Sequence, residues 1–468
     1  MKRRAYRAFA AIGVALVAIA LLAAAAHAAI ARLCRIEPPA IAVDTSSVVH
    51  REGGVRELGP AFVVRRGALL EVHLSGSPAQ IGYAHARLLY PEMVENEGIL
   101  LDHFQKAVPS FLLRGLVLDL AQVRYRRVAD GMSDARRSEI AAGALGFRPD
   151  PYAGLFPTFQ RFVYLNTLYD IALSFEHSPL IGCTTFTFSS AAAEGGGAIL
   201  ARNFDFEVDP IFDRKKAVFF VREDGKIPFA SVAWPGLVGV VSGMNAEGVA
   251  IVVHGGRAGE PRAQGEPVVH ALRAVLSNAR DSREAVTELA RRPPLVSHIV
   301  VVADAAGRSV RVERVPGVPD HVIELGEAAA VTNHFAGPSA EDARNRRVRE
   351  TTSTLPRKAR GDELVATVPR PVTPARAVEL LRDRRGARGK QLALGDRDAI
   401  DALIATHGVV MQTGPRVLWV SEGPHVLGRF VAFDLARFLS GERVAPELHL
   451  PAVPTDPLLD ELPRSTQR

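Results

Sequence analysis

The residue best suited to covalent chemistry is Cys183, in the stretch PLIGCTTFTFSS. A thiol is a good nucleophile only as thiolate, and an ordinary pKa of roughly 8.5 leaves little thiolate near neutrality. A nearby histidine is one base that could ionise the thiol. The other base is the α-amine of Cys183 itself, which exists only if the bond after Gly182 is cut. Gly182 has no Cβ to hinder the approach of the thiol, so this pair favours self-cleavage.

Three later stretches carry side chains that suit such a nucleophile. In ILARNFDFE, Asp205 could orient an α-ammonium or bind substrate, and a strand salt bridge between Arg202 and Asp205 is the structural alternative. Asn333, in VTNHF, is a suitable donor to an oxyanion, and such a donor typically contributes about 2.7–4 kcal/mol. Asn245, in SGMNAEG, is either a second polar site residue or part of a turn. His334 is the base that a papain-like enzyme would use.

The elements that must position these residues change character at Cys183. From there to about residue 254 the sequence has the pattern of an antiparallel meander, and before it strand-like residues 61–75 precede mainly helical spacing. Further helices are predicted at about 266–279, 282–292, 341–354, 374–383 and 396–406, and further strands at 297–304, 308–315 and 328–335. Strand blocks that alternate with helix blocks predict a layered α+β fold.

The N-terminus has the composition of a targeting segment. Residues 2–7 carry four positive charges, and an uncharged run at 8–31 follows. The run could end in cleavage after Ala28, or it could span a bilayer as an uncut signal anchor. Both readings place residues 36–468 outside the cytoplasm. The net charge of +6 lies entirely in residues 1–35, which argues against a nucleic-acid-binding groove in the remainder.

The other cysteine of the chain is Cys34, directly after the membrane segment. It could bridge to Cys183 or carry a lipid, although the small residue expected before a lipidated cysteine is missing. An exported protein with two cysteines does not rely on a disulfide framework, which makes Cys183 a candidate free thiol. The sequence has no HExxH or CxxC motif and no glycine-rich phosphate loop. We therefore expect no metal and no tightly bound cofactor.

Several stretches, taken in order, resemble one family. They are GSPAQIGYAHARLL, GCTTF, ARNFDFE, GMNAEGVAI, VTNHF, EDARNRRVR and RVLWVSEGP with FVAFDL, and they cover most of residues 70–435. Together they resemble the acyl-coenzyme A:6-aminopenicillanic acid acyltransferase family of N-terminal nucleophile hydrolases and, more distantly, the choloylglycine hydrolases. The resemblance implies a four-layer αββα sandwich and cleavage between Gly182 and Cys183. Gln80 stands where the family usually has a glutamate.

The resemblance also implies roles for the candidate residues. Cys183 would be the nucleophile and, through its α-amine, the base. Arg202 and Asp205 match the arginine and aspartate beside the nucleophile. Asn333 matches the asparagine of the oxyanion hole, and Asn245 matches the asparagine of the GMN turn.

A later arginine usually supports the site in this family, and the sequence offers several in the stretch EDARNRRVR. Arg344, Arg346 and Arg347 compete for the role, and we favour Arg346. The alternative is that the whole charged run is the solvated face of a helix.

These inferences predict a precursor of four parts: a signal segment at 1–35, a linker at 36–60, a mainly helical pro-segment at 61–182 and a catalytic part at 183–468. We expect the last two to stay associated, because the pro-segment is too apolar for a free peptide. The predicted substrate is a small molecule with a linear amide or thioester, with acyl-coenzyme A as a conceivable co-substrate. An unprocessed papain-like thiol hydrolase and a non-enzymatic, membrane-anchored binding protein remain open alternatives.

Overall fold

The computed structural model describes residues 2–45, 47–174, 181–206 and 209–462. Strands and helices alternate along the chain and are assembled into two antiparallel-rich sheets with helices on their outer faces. The predicted α+β class is therefore confirmed.

The strands of the described residues are named here in chain order. They are β1 (Val49–His50), β2 (Arg56–Leu58), β3 (Ala61–Arg66), β4 (Leu69–Gly76), β5 (Ile181–Phe188), β6 (Ile199–Phe206), β7 (Ala217–Glu223), β8 (Phe229–Ala233), β9 (Ser242–Asn245), β10 (Ala250–Gly255), β11 (His298–Ala303), β12 (Ser309–Arg314), β13 (His321–Glu324), β14 (Ala328–Val331), β15 (Ala405–Gln412), β16 (Val417–Ser421) and β17 (Phe430–Asp434).

The helices are named in the same way. They are α1 (Lys2–Leu33), α2 (Pro78–Leu88), α3 (Tyr90–Ala107), α4 (Phe111–Tyr125), α5 (Asp134–Gly146), α6 (Thr158–Leu165), α7 (Leu168–Ser174), α8 (Ile211–Arg214), α9 (Val268–Asn278), α10 (Ser282–Ala290), α11 (Ala343–Thr351), α12 (Thr354–Thr367), α13 (Pro374–Leu381), α14 (Leu435–Phe438) and α15 (Leu458–Glu461).

The larger sheet joins the two predicted parts of the precursor. Its strand order is β1-β2-β3-β4-β7-β8-β9-β10-β11-β12-β13, and β4 pairs in parallel with β7. Four strands that precede Cys183 are thus built into the same sheet as seven that follow it. The segment 36–60, predicted as a linker, contributes β1 and β2, because β1 pairs with β2 and β2 pairs with β3.

The smaller sheet carries the candidate nucleophile. Its order is β14-β5-β6-β15-β16-β17, and all its pairs are antiparallel. Cys183 lies in β5 opposite Phe204 of β6, and Gly182 lies opposite Asp205. This register brings the two sequence stretches of the predicted site side by side.

Three apolar clusters hold the layers together. One packs the large sheet against helices, as Val72 and Phe219 do against Leu272. The second lies between the two sheets and includes Leu200 of the small sheet and Val218 of the large one. The third packs the small sheet against α12 and α13. The clusters order the elements as helices, sheet, sheet and helices, as an αββα sandwich requires.

Helix α1 lies on the outside of the molecule beside α4. Residues Phe9–Leu33 are long and apolar enough to cross a membrane, judged by length and composition. His27 Nδ1 of α1 lies 2.8 Å from Asp119 Oδ1 of α4. Helix α4 also exposes six large apolar side chains: Phe111, Leu112, Leu113, Leu116, Leu120 and Val123. The exposed apolar surface of α1 therefore continues onto α4.

One predicted helix was wrong and one helix was missed. The helix expected at 396–406 is irregular as far as residue 404 and then enters β15, because aspartates there bind nearby backbone groups: Asp396 Oδ1 accepts from the Asp398 N–H at 2.9 Å, and Asp401 Oδ1 accepts from the Leu403 N–H at 3.1 Å. Such local bonds compete with a helix. The helix α12 was not predicted, and it supplies an important residue of the site.

Candidate active site

The backbone of Cys183 is held by a side chain where the sheet ladder stops. Strand β14 pairs with β5 only as far as Val331 opposite Thr185. Beyond that point the chain continues to Asn333, whose Oδ1 accepts a hydrogen bond from the Cys183 N–H at 2.8 Å. An asparagine amide thus takes the place of the next ladder bond. The nitrogen it holds is the one that would become an α-amine after cleavage.

The carbonyl of Cys183 is held by an arginine that the sequence analysis missed. Arg357 Nη1, from α12, donates to the Cys183 carbonyl at 2.5 Å and to Thr184 Oγ1 at 2.9 Å. Its Nη2 donates to Asn333 Oδ1 at 2.9 Å. Arg357 is buried, and this burial lowers the pKa of its guanidinium, while Asp205 and Cys183 act in the opposite direction. One rigid fork therefore fixes both the backbone at Cys183 and the amide beside it.

The thiol of Cys183 faces a second buried arginine. Arg202 Nη2 lies 3.1 Å from Cys183 Sγ and donates to the Val253 carbonyl at 2.6 Å. Nη1 of the same guanidinium donates to Ser242 Oγ, and the guanidinium lies 4.2 Å from the centroid of the Phe204 ring. The position of Arg202 is thus fixed from several sides, as preorganised stabilisation of a thiolate requires.

The ionisation of the thiol is unfavourable in the uncut chain. Burial raises the pKa of the Cys183 thiol above its ordinary value, and Asp205 acts in the same direction. Arg202 opposes this shift by charge and by hydrogen bonding, and Arg357 opposes it by charge. The uncut chain therefore holds a protonated thiol next to a guanidinium that would stabilise a thiolate.

Asp205 lies across the ladder from Gly182 and is buried. Burial raises the pKa of this carboxyl to about 6, and the positive charge of Arg357 opposes the shift. Among the described residues no hydrogen-bond partner is present for Asp205 Oδ1. A Cβ added to Gly182 would meet Asp205 Cβ and Oδ2 at 3.3 Å, so the glycine leaves room for this side chain. The salt bridge considered between Arg202 and Asp205 is not among the contacts of Arg202. Its guanidinium binds Ser242, the thiol and backbone carbonyls instead.

The contact of Asn333 with Cys183 differs from the one expected of an oxyanion donor. Its Oδ1 accepts from the Cys183 N–H and from Arg357, and its Nδ2 donates to the Gly255 carbonyl at 3.0 Å. An amide nitrogen has two hydrogens, so one of them remains for a developing oxyanion. The donor role of Asn333 stays a prediction.

Asn245 lies away from this cluster and is fully occupied by structural bonds. Its Nδ2 donates to the carbonyls of Leu276 and Ala279, and its Oδ1 accepts from the N–H groups of Glu247 and Val249. These four bonds tie the turn after β9 to the end of α9. The prediction of Asn245 as a site residue is therefore corrected, because its amide has no hydrogen-bonding capacity left for a substrate.

Arg346 is also placed outside the site. Its side chain is about half exposed, and Nη1 donates to the Glu341 carbonyl at 2.7 Å. Arg344 binds Glu260 and the Gly259 carbonyl. The arginine that contacts the backbone of Cys183 is Arg357 instead, one helix further along the chain. Physical signals for it exist in the sequence, since Thr354, Arg357, Gly361 and Val365 recur at helical spacing and are the buried face of α12.

His334 does not contact the thiol in the way a papain-like base would. Its Nδ1 lies 3.0 Å from Thr354 Oγ1 and 3.2 Å from Thr332 Oγ1. Burial, and then the charge of Arg311, lower its pKa to about 4. This histidine is neutral near pH 7 and is engaged by threonine hydroxyls.

Cys34 and Cys183 are both buried and both free, so the bridge considered between them is absent. Gln160 Nε2 donates to the Cys34 carbonyl at 3.3 Å. The backbone N–H of Cys34 closes the end of α1 by donating to the Ile30 carbonyl at 2.8 Å.

A cavity of about 120 Å³ adjoins the cluster. Its walls are mostly apolar and come from both sides of the predicted cut: Met93, Leu100, Phe162, Leu165, Leu168, Tyr169 and Ala172 from the pro-segment, and Phe204, Phe206, Phe212, Trp234, Leu237, Val241 and Val269 from the catalytic part. Phe204 is both a wall of the cavity and the strand partner of Cys183. An apolar group bound here would therefore contact Phe204, the strand partner of Cys183.

Comparison with known sequences indicates which family this chain resembles. The model of the family described as acyl-coenzyme A:6-aminopenicillanic acid acyl-transferase matches residues 192–396. The predicted family resemblance is confirmed. The matched residues include Arg202, Asp205, Asn333 and Arg357 but begin after Cys183. An uncharacterized protein of Archaeoglobus fulgidus is 25% identical over 262 residues, which are 51% of this chain and 41% of that protein's own length.

Solved structures give likenesses at low identity. The Caenorhabditis elegans orthologue of N-acylethanolamine-hydrolyzing acid amidase aligns with 50% of this chain and 93% of its own, at 16% identity and a TM-score of 0.37. Penicillin V acylase from Agrobacterium tumefaciens aligns with 55% of this chain and 87% of its own, at 15% identity and a TM-score of 0.35. Conjugated bile acid hydrolase from Clostridium perfringens aligns with 55% and 93%, at 11% identity and a TM-score of 0.35.

Proposed function

We propose that this chain is a self-cleaving N-terminal cysteine hydrolase or acyltransferase, which acts on a linear amide or thioester through an acyl-enzyme on Cys183. The observation that carries the proposal is the hydrogen bond from the Cys183 N–H to Asn333 Oδ1. Arg357 holds the same asparagine oxygen and the carbonyl of Cys183, and Arg202 faces the thiol. The family resemblance supports an enzyme of the N-terminal nucleophile class.

The first reaction is cleavage of the chain itself. Cys183 Sγ attacks the carbonyl carbon of Gly182, the bond from that carbon to the Cys183 nitrogen breaks, and the thiol proton ends on the new α-amine. Water then hydrolyses the thioester between Gly182 and Sγ, which leaves a carboxyl group on Gly182 and a free thiol. The absence of a Cβ on Gly182 eases the approach, and Arg202 stabilises the sulfur as it loses its proton.

The second reaction uses the freed amine. Held by Asn333 Oδ1, the amine takes the proton of the thiol as Sγ attacks the carbonyl carbon of the substrate, and it returns a proton to the leaving amine or thiol. The unpartnered oxygen of Asp205 is suited to hold the ammonium form between these transfers. Release of the acyl group to water completes hydrolysis, and release to an amine completes acyl transfer.

Of these two outcomes we propose hydrolysis or a transfer that does not need coenzyme A. The charge pattern of the N-terminus predicts that the catalytic part lies outside the cytoplasm, where acyl-coenzyme A has no obvious supply. Within the described residues no cluster of three or more metal-binding side chains occurs. The proposed chemistry uses the α-amine, the thiol and the arginines of the chain.

The fragments on either side of the cut are proposed to stay together. Arg136 and Glu139 of α5 form buried ion pairs with Glu223 and Arg273, which lie on the other side of the cut. Both oxygens of Asp170, in α7, lie 3.2 Å from the N–H of Val268 at the start of α9. Separation of the fragments would leave these buried charges and a sheet edge unpaired. Breaking one such buried ion pair typically destabilises a protein by several kcal/mol.

We also propose that α1 remains as a membrane anchor and that α4 lies at the membrane surface beside it. Support comes from the contact of the two helices at His27 and Asp119 and from the six exposed apolar side chains of α4. Retention of residues 1–28 in the purified membrane fraction, and resistance of the protein to extraction by alkaline carbonate, would test this. A mature N-terminus after Ala28 would contradict the anchor.

The decisive test of the function is capture of the acyl-enzyme. Purified protein is mixed with a panel of N-acyl amides and acyl thioesters, quenched in acid and measured by intact mass, with Cys183→Ala as the control. We expect an added acyl mass on the fragment 183–468 of the wild type only. Acylation at another residue, or turnover that survives in Cys183→Ala, would contradict the proposal.

A further inference from the structure

A chain of polar side chains leads away from the thiol of Cys183 into the space between the two sheets. Nη2 of Arg202 lies 3.1 Å from Cys183 Sγ, and Nη1 of the same guanidinium donates to Ser242 Oγ of β9. Ser242 Oγ in turn lies 3.0 Å from Nε2 of His407, in β15. All of these side chains are fully buried. The sulfur is thus connected through Arg202 and Ser242 to a histidine of the small sheet.

The direction of these hydrogen bonds follows from the chemistry of the groups. A guanidinium can only donate, so Ser242 Oγ accepts from Arg202. Burial, and then the charges of Arg202 and Lys216, lower the pKa of His407 well below its ordinary value, so the ring is neutral near pH 7. The hydroxyl hydrogen of Ser242 is then left for Nε2 of His407. A hydroxyl that donates to an imidazole is a better acceptor for Arg202, because successive hydrogen bonds polarise one another.

The ring of His407 is held by the sheet and by two aromatic side chains. His407 lies opposite Phe204 in the ladder of β6 and β15, and Phe204 lies opposite Cys183 in the ladder of β5 and β6. The His407 ring stacks on Phe204, with 5.2 Å between centroids and 14° between planes, and its centroid lies 5.9 Å from that of Trp234. The ladder shifts register between Ala405 and His407, and such bulges are over-represented beside active sites. The imidazole is therefore preorganised for its contact with Ser242.

A second pair of a histidine and a hydroxyl, also between the sheets, provides a comparison. His254 Nε2, from β10, lies 2.7 Å from Thr185 Oγ1 of β5, and both side chains are fully buried. Thr185 lies opposite Arg202 in the ladder, yet the described hydrogen bonds of the Arg202 guanidinium do not include it. The two pairs share their chemistry and their burial, but only Ser242, the partner of His407, binds the guanidinium.

We propose that Ser242 and His407 are positioning residues, which hold the Arg202 guanidinium against Cys183 and so favour the thiolate. Ser242 binds one amino group of the guanidinium, and the other amino group lies at the sulfur. Because the guanidinium is planar and rigid, fixing one group fixes the other. Polar groups are costly to bury between apolar sheets, so their retention indicates a specific use. This inference rests on the proposed function, because it assigns Arg202 to the thiolate of Cys183.

The test is a titration of the Cys183 thiol in the full chain with Cys34→Ala, where Cys183 is the only cysteine. Alkylation by iodoacetamide is followed over a series of pH values by intact mass, which separates the uncut chain from the fragment 183–468. We expect Ser242→Ala to raise the midpoint of this profile by about one pH unit, since a displaced guanidinium stabilises the thiolate less. His407→Phe should raise the midpoint by a smaller amount, because Ser242 remains.

Three further variants show whether the effect acts through Arg202. Thr185→Val removes the hydroxyl of the comparison pair and should leave the midpoint unchanged. In the Arg202→Met background, Ser242→Ala should not move the midpoint further, because residues that act through one group are not additive. Ser242→Thr keeps the hydroxyl and should restore most of the wild-type profile.

Unfolding in urea separates this role from a structural one. Ser242→Ala and Thr185→Val each remove one buried hydrogen bond between a hydroxyl and an imidazole, so we expect similar losses of stability but a shifted thiol titration only in Ser242→Ala. An unchanged midpoint in Ser242→Ala, an equal shift in Thr185→Val, or a full shift in the Arg202→Met background would overturn the inference. Failure of the proposed function would instead appear as the absence of an acyl-enzyme on Cys183 while the shift in Ser242→Ala remains.

Discussion

The two cysteines of this chain are a natural comparison, since both are buried and neither is oxidised. Around Cys34 the described contacts are neutral: the amide of Gln160 binds its carbonyl, and its N–H ends helix α1. Around Cys183 two guanidiniums and an amide converge, with Arg202 at the sulfur, Arg357 at the carbonyl and Asn333 at the nitrogen.

Burial alone therefore does not distinguish a structural thiol from a reactive one, because both cysteines are buried and only their neighbours differ. Buried charges are expensive to desolvate, so a protein retains them where they stabilise something specific. At Cys183 the charges surround a peptide bond near the start of strand β5, where an ordinary sheet needs none. At Cys34 a small apolar side chain is enough to fill the space.

The largest effect that separates the two cysteines is expected from Cys183→Ala. Removal of a nucleophile typically costs about 10³-fold or more in rate, because no other group can form the covalent intermediate. The measurement is hydrolysis of the best substrate from the acyl-enzyme panel, with Cys34→Ala as the matched control. An equal loss of activity in Cys183→Ala and Cys34→Ala would contradict a catalytic role that is specific to Cys183.

A smaller effect is expected when the charges around Cys183 are changed. Arg357→Ala should slow turnover by about 10²–10³-fold, the usual result of removing a preorganised donor. Arg346→Ala is the control from the neighbouring helix, and its half-exposed side chain, which binds Glu341 and not the residues around Cys183, should leave the rate close to that of the wild type. Circular dichroism of both variants would show whether the fold is kept. The opposite ranking would restore Arg346 as the supporting residue.

A still smaller effect concerns Asp205 and pH. Its pKa is about 6 in the uncut chain, and the positive charge of an α-ammonium would lower it after cleavage. We expect the wild-type rate to fall as this carboxylate is protonated, at or below about pH 6, and Asp205→Asn to lose this inflection with a rate about ten-fold lower. A pH–rate profile checks both statements. An identical inflection in Asp205→Asn would assign it to another group.

The same shift has a consequence for stability. Because the pKa of Asp205 is higher in the fold than its ordinary value of 3.8, the folded state holds this proton more tightly. Its contribution to stability is present below about pH 4 and is lost as pH rises towards 6. Asp205 therefore makes stability fall as pH rises over this range, so the unfolding midpoint of Asp205→Asn should rise more, or fall less, between pH 4 and 6 than that of the wild type, and the opposite order would contradict the sign.

The smallest effect is expected at Cys34. Replacement of this buried thiol with alanine removes one sulfur from an apolar contact and should lower the free energy of unfolding by about 1 kcal/mol. Urea unfolding of Cys34→Ala beside the wild type measures the change. A loss of processing in this variant would show that the neutral surroundings of Cys34 serve the site after all.

Part of this site could be predicted because it lies on neighbouring strands. Cys183, Arg202 and Asp205 come from consecutive strand patterns, and such strands usually pair. Their register in β5 and β6 then brings Gly182 opposite Asp205. Asn333 follows the next edge strand of the same sheet. The α+β class follows from the same alternation of strand and helix blocks.

The remaining part depends on packing that local patterns do not encode. Arg357 reaches Cys183 from α12, and the helical spacing of its buried face does not show which strand that face covers. Asn245 was predicted as a site residue because it matches the asparagine of the GMN turn in the resembled family. Only its hydrogen bonds to α9 and the residue after it show that it has a structural role. The sequence likewise does not show that the six exposed apolar residues of α4 lie beside α1, because that depends on how the two helices pack.

The central claim is the cut between Gly182 and Cys183, and the intact mass and N-terminal sequence of the purified protein test it most directly. Self-cleavage predicts two fragments in the wild type, the larger one starting at Cys183 and spanning residues 183–468. Cys183→Ala should remain one chain. A wild-type protein that is a single uncut chain with full activity would rule out self-cleavage as the source of the active enzyme.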